Sequence, residues 1–317
     1  MEKISNSNIL VTGGAGFIGS HLCDQLIKLE NHVFCLDNLV GTQNSTRNIE
    51  HLLDNPLFTF INESVTEWAT PKNLENFEYI FHQAASKNTV SIDDPTKDLD
   101  TNALGTLKLL LAAKEIGIRK FVHGSTGSVY GESKTSLKET NHKNPVSFYG
   151  VSKLAGESYC QVVNDIYELD FTVLRYFHVI GTRQYEGEGG GVVPIFVKAC
   201  IENNPLTIFG SGDQIRSFTS VHDVVNANIL VASLGKKSLG IFNCASAIKV
   251  SIKELADFVM KEMGNDKKIN YKEKRPGDIF NFDINNESIR KLGMSFSQDW
   301  KSTVREVITD MSQKHNG

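Results

Sequence analysis

Short apolar runs alternate along the chain with longer stretches in which apolar residues recur at helical spacing. The short runs are typical of buried strands, and the periodic stretches are typical of amphipathic helices. We predict strands at 8–11, 32–36, 58–61, 79–82, 120–123 and 170–175, and helices at 20–29, 101–116 and 152–168. This alternation predicts a parallel sheet covered by helices on both faces, with ligands beyond the carboxyl ends of the strands.

The pattern changes after Gly181. A glycine-rich polar loop at 186–191 precedes a predicted helix at 193–202, and a further helix at 218–234 and strand at 241–245 return to the sheet. The sequence therefore predicts an α/β fold, a Rossmann-type doubly wound parallel sheet, in residues 1–180, with 218–250 returning to it. Residues 181–317 are predicted to form mainly a smaller C-terminal substrate-binding domain.

The first predicted strand runs into glycines at 13, 14, 16 and 19, and an apolar helix follows from Phe17. Such glycines permit a tight turn and let backbone N–H groups and a helix N-terminus approach a pyrophosphate. Asp37 ends the second predicted strand, close to the spacing of an acid that binds a ribose diol. This order of features favours a dinucleotide site over a merely structural strand–turn–helix.

Composition narrows the function classes. At 317 residues, 40% hydrophobic and 22% charged, the chain is typical of globular proteins, and its net charge of −4 gives no electrostatic case for nucleic acid or an anionic membrane. The five cysteines are scattered without metal-ligand spacing, so we expect no metal site and reduced thiols. The first strand leaves no room for a signal peptide, and no apolar run could span a bilayer, so we expect a cytoplasmic protein.

Tyr149 and Lys153 place a phenol and an ammonium four residues apart, and therefore on one face of a helix. A nearby cation favours the phenolate and should lower the tyrosine pKa toward that of a general base. The same spacing recurs at Tyr130 and Lys134, where Gly131 and polar residues favour a loop. We therefore predict that Tyr149 and Lys153 carry the chemistry and that Tyr130 is a structural aromatic.

A hydroxyl-rich turn at 124–128 follows the strand at 120–123. A hydroxyl in this turn could hydrogen-bond a substrate oxygen beside the tyrosine. Ordinary turn formation by serine and threonine explains the composition equally well.

Together these motifs resemble the extended short-chain dehydrogenase/reductase family, in its nucleotide-sugar epimerase/dehydratase branch. The likeness is greatest to the UDP-galactose and UDP-N-acetylglucosamine 4-epimerases. The resemblance extends from about residue 8 to 280 and rests on motifs that occur in this order: 13–19, Asp37, 81–85, Asn102, 125–126, Tyr149 with Lys153, 175–177 and 275–278.

The resemblance implies a role for each matching position. Tyr149 becomes the acid/base, Lys153 the residue that lowers its pKa and holds the nicotinamide ribose, and Thr126 the hydroxyl that assists the tyrosine. The implied cofactor is NAD, because the Asp37 carboxylate would repel the 2′-phosphate of NADP. The implied cofactor contacts are Gly13, Gly16, Phe17, Ile18, Gly19, Asp37, Asn38, Ser64, Val65, Gln83, Ala84, Ala85, Lys87, Asn102, Tyr149, Lys153 and Tyr176.

The resemblance also implies a nucleotide-sugar substrate, UDP-linked, whose diphosphate would be bound by Arg216 and Arg275, since guanidinium groups suit phosphates. The implied substrate contacts are Lys87, Thr126, His178, Val193, Phe209, Arg216, Arg275 and Asp278. A homodimer is implied as well, built from the helices at 101–116 and 152–168.

The residues of the hydroxyl-rich turn distinguish the reactions of this branch. Related dehydratases and decarboxylases carry a carboxylate in this turn, whereas this chain has Thr126, Gly127 and Ser128. The sequence therefore favours a 4-epimerase that works through a transient 4-keto sugar. A 3,5-epimerase, 4-ketoreductase, dehydratase or decarboxylase remains the alternative, and a non-catalytic NAD sensor is disfavoured because the tyrosine–lysine pair is present.

Three positions depart from the family pattern. His178 stands where asparagine is usual, and Ser217 and Ser64 each replace an aspartate. Histidine is bulkier than asparagine and could carry a charge. His178 either reshapes the substrate pocket or donates the same hydrogen bond.

Overall fold

The computed structural model describes residues 4–40, 45–86, 88–133, 135–187, 190–274 and 283–316. Its strands are β1 (Asn8–Thr12), β2 (His32–Leu36), β3 (Phe58–Ile61), β4 (Tyr79–His82), β5 (Lys120–Thr126), β6 (Phe171–Tyr176), β7 (Val179–Ile180), β8 (Thr207–Phe209), β9 (Ile215–Arg216), β10 (Thr219–Ser220), β11 (Gly240–Cys244), β12 (Val250–Ser251) and β13 (Asn270–Lys272). Seven of them form one parallel sheet in the order β3-β2-β1-β4-β5-β6-β11. This is the predicted doubly wound sheet.

The helices are α1 (Phe17–Lys28), α2 (Val65–Trp68), α3 (Pro71–Leu74), α4 (Asn88–Asp93), α5 (Pro95–Leu99), α6 (Gly105–Ile116), α7 (Phe148–Tyr167), α8 (Val192–Ile201), α9 (Val221–Leu234), α10 (Ile252–Met263), α11 (Glu287–Lys291) and α12 (Trp300–Asn316). A π-helical segment, Asp100–Leu104, joins α5 to α6. None of the helices in the described ranges is both long enough and apolar enough to cross a bilayer.

Alternating strand residues feed hydrophobic clusters on the two faces of the sheet. Ile9 and Val11 of β1 pack with residues of α1 and α9 on one face, and Leu10 packs with residues of α6 and α7 on the other. This is the period-two pattern of a strand buried on both faces. The sheet is therefore held rigidly between two helical layers.

A third cluster joins α8, α10 and α12 through buried residues such as Val193, Leu255 and Val304. Buried residues of α11 and of the segment that joins α11 to α12 do not belong to this cluster. Ile289, Met294 and Phe296 pack instead with β1 and α1 against the sheet. The C-terminal part of the chain thus contributes to the packing of both regions.

The strands end and the helices begin at slightly different residues from those predicted. β5 continues to Thr126, so Ser125 and Thr126 pair with β6 instead of lying in a turn. α7 begins at Phe148, four residues before the predicted start, because the Ser147 hydroxyl accepts a hydrogen bond from the Gly150 amide (3.1 Å) and caps the helix. Thr126 and Tyr149, two of the predicted site residues, therefore lie in a regular strand and a regular helix.

Candidate active site

One cavity of about 390 Å³ opens at the carboxyl ends of β1, β2, β4, β5 and β6. Every predicted cofactor contact in the described ranges lines it except Asn102, and Lys87 lies outside the described residues. The lining therefore brings together Gly13, Gly16, Phe17, Ile18, Gly19, Asp37, Asn38, Ser64, Val65, Gln83, Ala84, Ala85, Tyr149, Lys153 and Tyr176.

The glycine loop leaves no space for side chains at its floor. Gly13 has φ of +66°, and a Cβ atom there would lie 2.6 Å from the Ala84 amide nitrogen. A Cβ on Gly19 would lie 2.1 Å from the Gly13 carbonyl oxygen. The backbone at the N-terminus of α1 is consequently open to a ligand, and this is the arrangement that binds a pyrophosphate.

Asp37 lies at the carboxyl end of β2, on the wall of the cavity. Its carboxylate accepts hydrogen bonds from the backbone amides of Leu39 (2.8 Å) and Ala15 (3.1 Å). Burial raises the pKa of Asp37, and these amides oppose the rise. The carboxylate is therefore fixed in orientation, with acceptor capacity left for a ribose diol.

Tyr149 and Lys153 lie one turn apart near the start of α7, and both line the cavity. The Thr126 hydroxyl, at the end of β5, hydrogen-bonds the Tyr149 phenol. The three predicted catalytic residues are thus adjacent in space, although β5 and α7 contribute them separately.

The electrostatics of Tyr149 differ from the prediction. Burial raises the pKa of Tyr149 to about 12, the hydrogen bond from Thr126 opposes the rise, and the negative charge of Asp98 adds to it. In the protein by itself the pKa of the phenol is thus raised and not lowered as the sequence predicts. Burial disfavours the charged phenolate.

Lys153 is 1% exposed, and its ammonium has no hydrogen-bond partner among the described residues. Burial lowers the pKa of Lys153 to about 8, and the negative charges of Glu157 and Asp98 counteract this effect. A buried cation without acceptors is unfavourable unless a ligand supplies them. Hydroxyl groups of a nicotinamide ribose would satisfy this ammonium.

Asn102 does not line the cavity. Its amide is occupied by protein groups, accepting from the Ser86 amide (2.8 Å) and donating to Asp98 (2.8 Å) and to the Ser152 hydroxyl (3.1 Å). In the structure this side chain joins Ser86, Asp98 and Ser152, and its contact with the cofactor stays a prediction. The π-helical segment directs this side chain toward α7 and the loop after β4.

The sequence analysis missed a second polar wall of the cavity. Arg183 pairs with Asp24 (2.7 Å), yet its Nη1 is buried and has no hydrogen-bond partner in the described part of the chain. Gln184, Tyr185, Gly190 and Gly191 line the same wall. Since the buried Arg183 nitrogen and the open glycine loop both suit an anionic ligand, these residues fit the diphosphate of a dinucleotide.

Behind the catalytic residues lies a buried ion pair that the sequence did not reveal. Arg175 donates to both carboxylate oxygens of Glu157 (2.9 and 2.6 Å) and to the Tyr130 phenol oxygen (2.6 Å). Tyr130 is 2% exposed and donates to Asn243 (2.7 Å), which confirms it as a structural aromatic. Lys134, its neighbour at helical spacing, lies outside the described residues.

His178 adjoins Arg216 away from this cavity. Burial and the Arg216 cation lower the pKa of His178 to about 3, so the alternative in which this side chain is charged at neutral pH is wrong. Its Nδ1 accepts a hydrogen bond from the Ser217 amide (3.3 Å), which leaves Nε2 as a donor. His178 can therefore donate one hydrogen bond through Nε2, as in the alternative in which it replaces the hydrogen bond of the usual asparagine.

Val193 and Phe209, two further predicted substrate contacts in the described ranges, do not line the cavity. Val193 is fully buried in the cluster around α8, so its side chain contributes to packing and is not open to a ligand. Phe209 ends β8 and is partly buried. Arg275 and Asp278, like Lys87, lie outside the described residues.

Comparison with known proteins agrees with this geometry. The model of the NAD dependent epimerase/dehydratase family matches residues 9–245. A putative UDP-glucose 4-epimerase of Methanocaldococcus jannaschii is 35% identical over 312 residues, which cover 97% of this chain and 99% of that protein.

Two solved structures share the fold over nearly the whole chain. The UDP-N-acetylglucosamine 4-epimerase of Methanobrevibacter ruminantium, in complex with UDP-N-acetylmuramic acid, is 31% identical with a TM-score of 0.92, covering 98% of this chain and 100% of that one. The UDP-glucuronic acid 4-epimerase of Bacillus cereus, in complex with UDP-glucuronic acid and NAD, is 32% identical with a TM-score of 0.90, covering 97% and 99%. The chain therefore belongs to the NAD dependent epimerase/dehydratase family, with NAD as its cofactor, as its sequence predicts.

Proposed function

We propose that this protein is a nucleotide-sugar 4-epimerase acting on a UDP-hexose or a UDP-N-acetylhexosamine. The observation that carries the proposal is that Tyr149 and Lys153 line the cavity with Thr126 beside the phenol, while Gly127 and Ser128, which follow Thr126, supply no carboxylate. The UDP-sugar names of the similar proteins support the substrate class.

In this proposal Tyr149 takes the proton from the C4 hydroxyl of the sugar and later returns it to the opposite epimer. NAD supplies the reversible hydride acceptor for C4, and its positive charge adds to that of Lys153 in favouring the phenolate. The Thr126 hydroxyl holds the phenol oxygen in place, and the Lys153 ammonium holds the cofactor ribose. Because the hydride returns to C4, the reaction has no net redox change, and its return to the opposite face of the 4-keto sugar inverts the configuration at C4.

The experiment incubates the purified protein in D₂O with UDP-glucose, UDP-galactose, their N-acetyl forms and the uronates, and follows the products by NMR. A 4-epimer without deuterium on carbon supports the proposal, because the hydrogen at C4 leaves and returns without passing through solvent. Deuterium at C3 or C5 would indicate a 3,5-epimerase, loss of the carboxyl group a decarboxylase, and consumption of added NADH a ketoreductase. Absence of any 4-epimer across the panel would contradict the proposal.

We also propose a homodimer built on α6 and α7. The outer faces of these helices carry exposed apolar side chains, including Leu111 (40% exposed), Val162 (49%) and Ile166 (62%). Apolar patches of this kind are typical of protein interfaces. Sedimentation should show a dimer that Ile166→Glu converts to a monomer, while Leu239→Glu, at an exposed site elsewhere, leaves it unchanged. A monomeric wild-type protein would contradict this proposal.

A further inference from the structure

Three polar side chains meet at the wall of the cavity, on the face of the sheet that α1 and α9 cover. Gln83 directly follows β4, Tyr176 ends β6, and both line the cavity. Asn228 belongs to α9, is fully buried and is not among the lining residues. It is therefore a buried amide behind two residues of the cofactor site.

The glycine at position 124 allows Gln83 and Tyr176 to meet. Gly124 lies in β5, the strand between β4 and β6 in the sheet. A Cβ atom there would lie 2.6 Å from Gln83 Oε1 and 2.8 Å from Tyr176 Cε2. Because glycine leaves this space open, the Tyr176 hydroxyl oxygen approaches Gln83 Oε1 to 3.1 Å across the intervening strand.

The hydrogen bonds among the three side chains form a closed ring. Gln83 Nε2 donates to Asn228 Oδ1 (3.1 Å). Asn228 Nδ2 donates in turn to the Tyr176 hydroxyl oxygen (2.9 Å). The Tyr176 hydroxyl oxygen lies 3.1 Å from both Gln83 Oε1 and Asn228 Oδ1. Since Asn228 Oδ1 already accepts from Gln83, donation of the hydroxyl proton to Gln83 Oε1 lets each member donate once and accept once around the ring.

The ring uses both donors of Asn228 but only one donor of Gln83. The second hydrogen of the Asn228 amide goes to the Val224 carbonyl oxygen (2.7 Å), one turn earlier in α9. Gln83 Nε2 has a second hydrogen as well, and no acceptor for it occurs among the residues that the structure describes. An amide can present either its oxygen or its nitrogen to a ligand, and its hydrogen-bond partners decide which. Asn228 therefore determines the orientation of the Gln83 amide.

We infer that Asn228 is a positioning residue of the cofactor site. Through the ring it fixes the Gln83 amide at the cavity wall and leaves one N–H of Gln83 for an acceptor oxygen of NAD. Without Asn228 the Gln83 amide would be free to rotate, and binding of NAD would have to order it again at a cost in affinity. The inference concerns the cofactor and does not depend on the sugar.

The test is a double-mutant cycle on the release of NAD from the holoprotein. The protein is loaded with radiolabelled NAD and chased with an excess of unlabelled NAD. Asn228→Leu removes both ring bonds of Asn228 and keeps a similar side-chain shape. We expect it to release NAD about 3- to 10-fold faster, which corresponds to the loss of about one hydrogen bond.

Gln83→Leu should accelerate the release by at least as much. The double variant should release NAD no faster than Gln83→Leu alone, because Asn228 acts through Gln83. A merely structural asparagine would instead lower the free energy of unfolding and multiply the effect of Gln83→Leu. The matched control is Asn226→Leu, which changes an exposed asparagine of the same helix and should leave the release rate unchanged.

If Asn228→Leu does not fold, Tyr176→Phe replaces it, because this variant removes only the hydroxyl from the ring. It should also accelerate release, and it too should add nothing in the Gln83→Leu background. An unchanged release rate in the ring variant would overturn the inference, as would effects that multiply in the double variant or an equal acceleration in Asn226→Leu.

The release assay needs no sugar, so its failure and that of the proposed function are distinguishable. Faster release in Asn228→Leu from a protein that turns over no nucleotide sugar would support the positioning role and contradict the proposed function. Epimerisation by the wild type with an unchanged release rate in Asn228→Leu would do the reverse.

Discussion

Two buried lysines lie at opposite ends of the parallel strands, and each is 1% exposed. Lys120 begins β5, and its ammonium contacts Asp170 Oδ1 (2.7 Å), the Gly235 carbonyl oxygen (3.0 Å) and that of Phe171 (3.3 Å). Lys153 lies beyond the carboxyl ends of the strands and has no hydrogen-bond partner in the described structure.

The difference shows that burial alone does not identify a functional cation. Both pKa values are lowered by burial, but Asp170 raises that of Lys120 again at close range. A buried cation whose donors are all used stabilises the fold, whereas one with unused donors indicates a ligand. At the amino end of β5 the protein itself supplies the acceptors for the lysine, whereas at the carboxyl ends of the strands the cavity leaves them to the cofactor.

The largest expected effect comes from Tyr149→Phe, which removes the proposed proton acceptor at the carboxyl ends of the strands. We expect kcat to fall by about 10²- to 10⁴-fold in the epimerisation assay, with NAD still bound. The matched control is Tyr130→Phe, which loses hydrogen bonds to Asn243 and Arg175 and should instead lower the free energy of unfolding by about 1–3 kcal/mol. If both variants lost activity equally without a change in stability, the distinction between the two tyrosines would fail.

The lysines themselves should respond in opposite ways to replacement by methionine. Lys120→Met leaves Asp170 buried without its partner, so we expect the free energy of unfolding to fall by about 3–5 kcal/mol. Lys153→Met removes an unsatisfied ammonium, so we expect stability to be kept or raised while kcat and NAD affinity fall.

Chemical denaturation of both lysine variants in the same cofactor state, together with the rate assay, checks this contrast. Equal destabilisation by the two substitutions would break the comparison, because it would mean that Lys153 also has a structural partner in the protein.

A smaller effect is expected from pH at His178. Its folded pKa of about 3 lies below the ordinary value of 6.5, so the unfolded state binds the extra proton in this window. Its contribution to stability is therefore complete above about pH 6.5 and is lost as the pH falls toward 3. Denaturation between neutral and acidic pH should show a shallower loss in His178→Asn than in the wild type.

The control for this experiment is His142→Asn, because His142 is exposed and should leave the slope unchanged. Asparagine also tolerates the φ of +40° at residue 178, so the variant should not be destabilised at neutral pH. A steeper acid slope in His178→Asn would contradict the assignment of a neutral ring.

The sequence predicted β2, β3 and β4 residue for residue. Each of these strands is followed at once by a polar residue, Asp37, Asn62 and Gln83 respectively. The sequence predicted the cofactor cavity equally well, since glycines and Asp37 occur at fixed offsets from the strands. It could not predict that burial raises the pKa of the Tyr149 phenol. That shift depends on the surrounding packing and not on spacing.

The surroundings of other residues could not be predicted, because they depend on contacts between distant segments. Asn102 was matched to a cofactor contact, but its amide bonds Ser86, Asp98 and Ser152. Asp98 and Arg183 belong to none of the motifs in the sequence. Val193 was matched to the substrate, but its side chain is in the core.

The π-helical segment Asp100–Leu104 has one further consequence. A π-turn holds one residue more than an α-turn, and each helical residue rotates the chain by about 100°. Deletion of one residue from this segment would therefore rotate α5 relative to α6 about the helix axis. Asp98, which lies on α5, would then move away from Ser152. The number of residues in this segment, and not only their identity, sets where the carboxylate points.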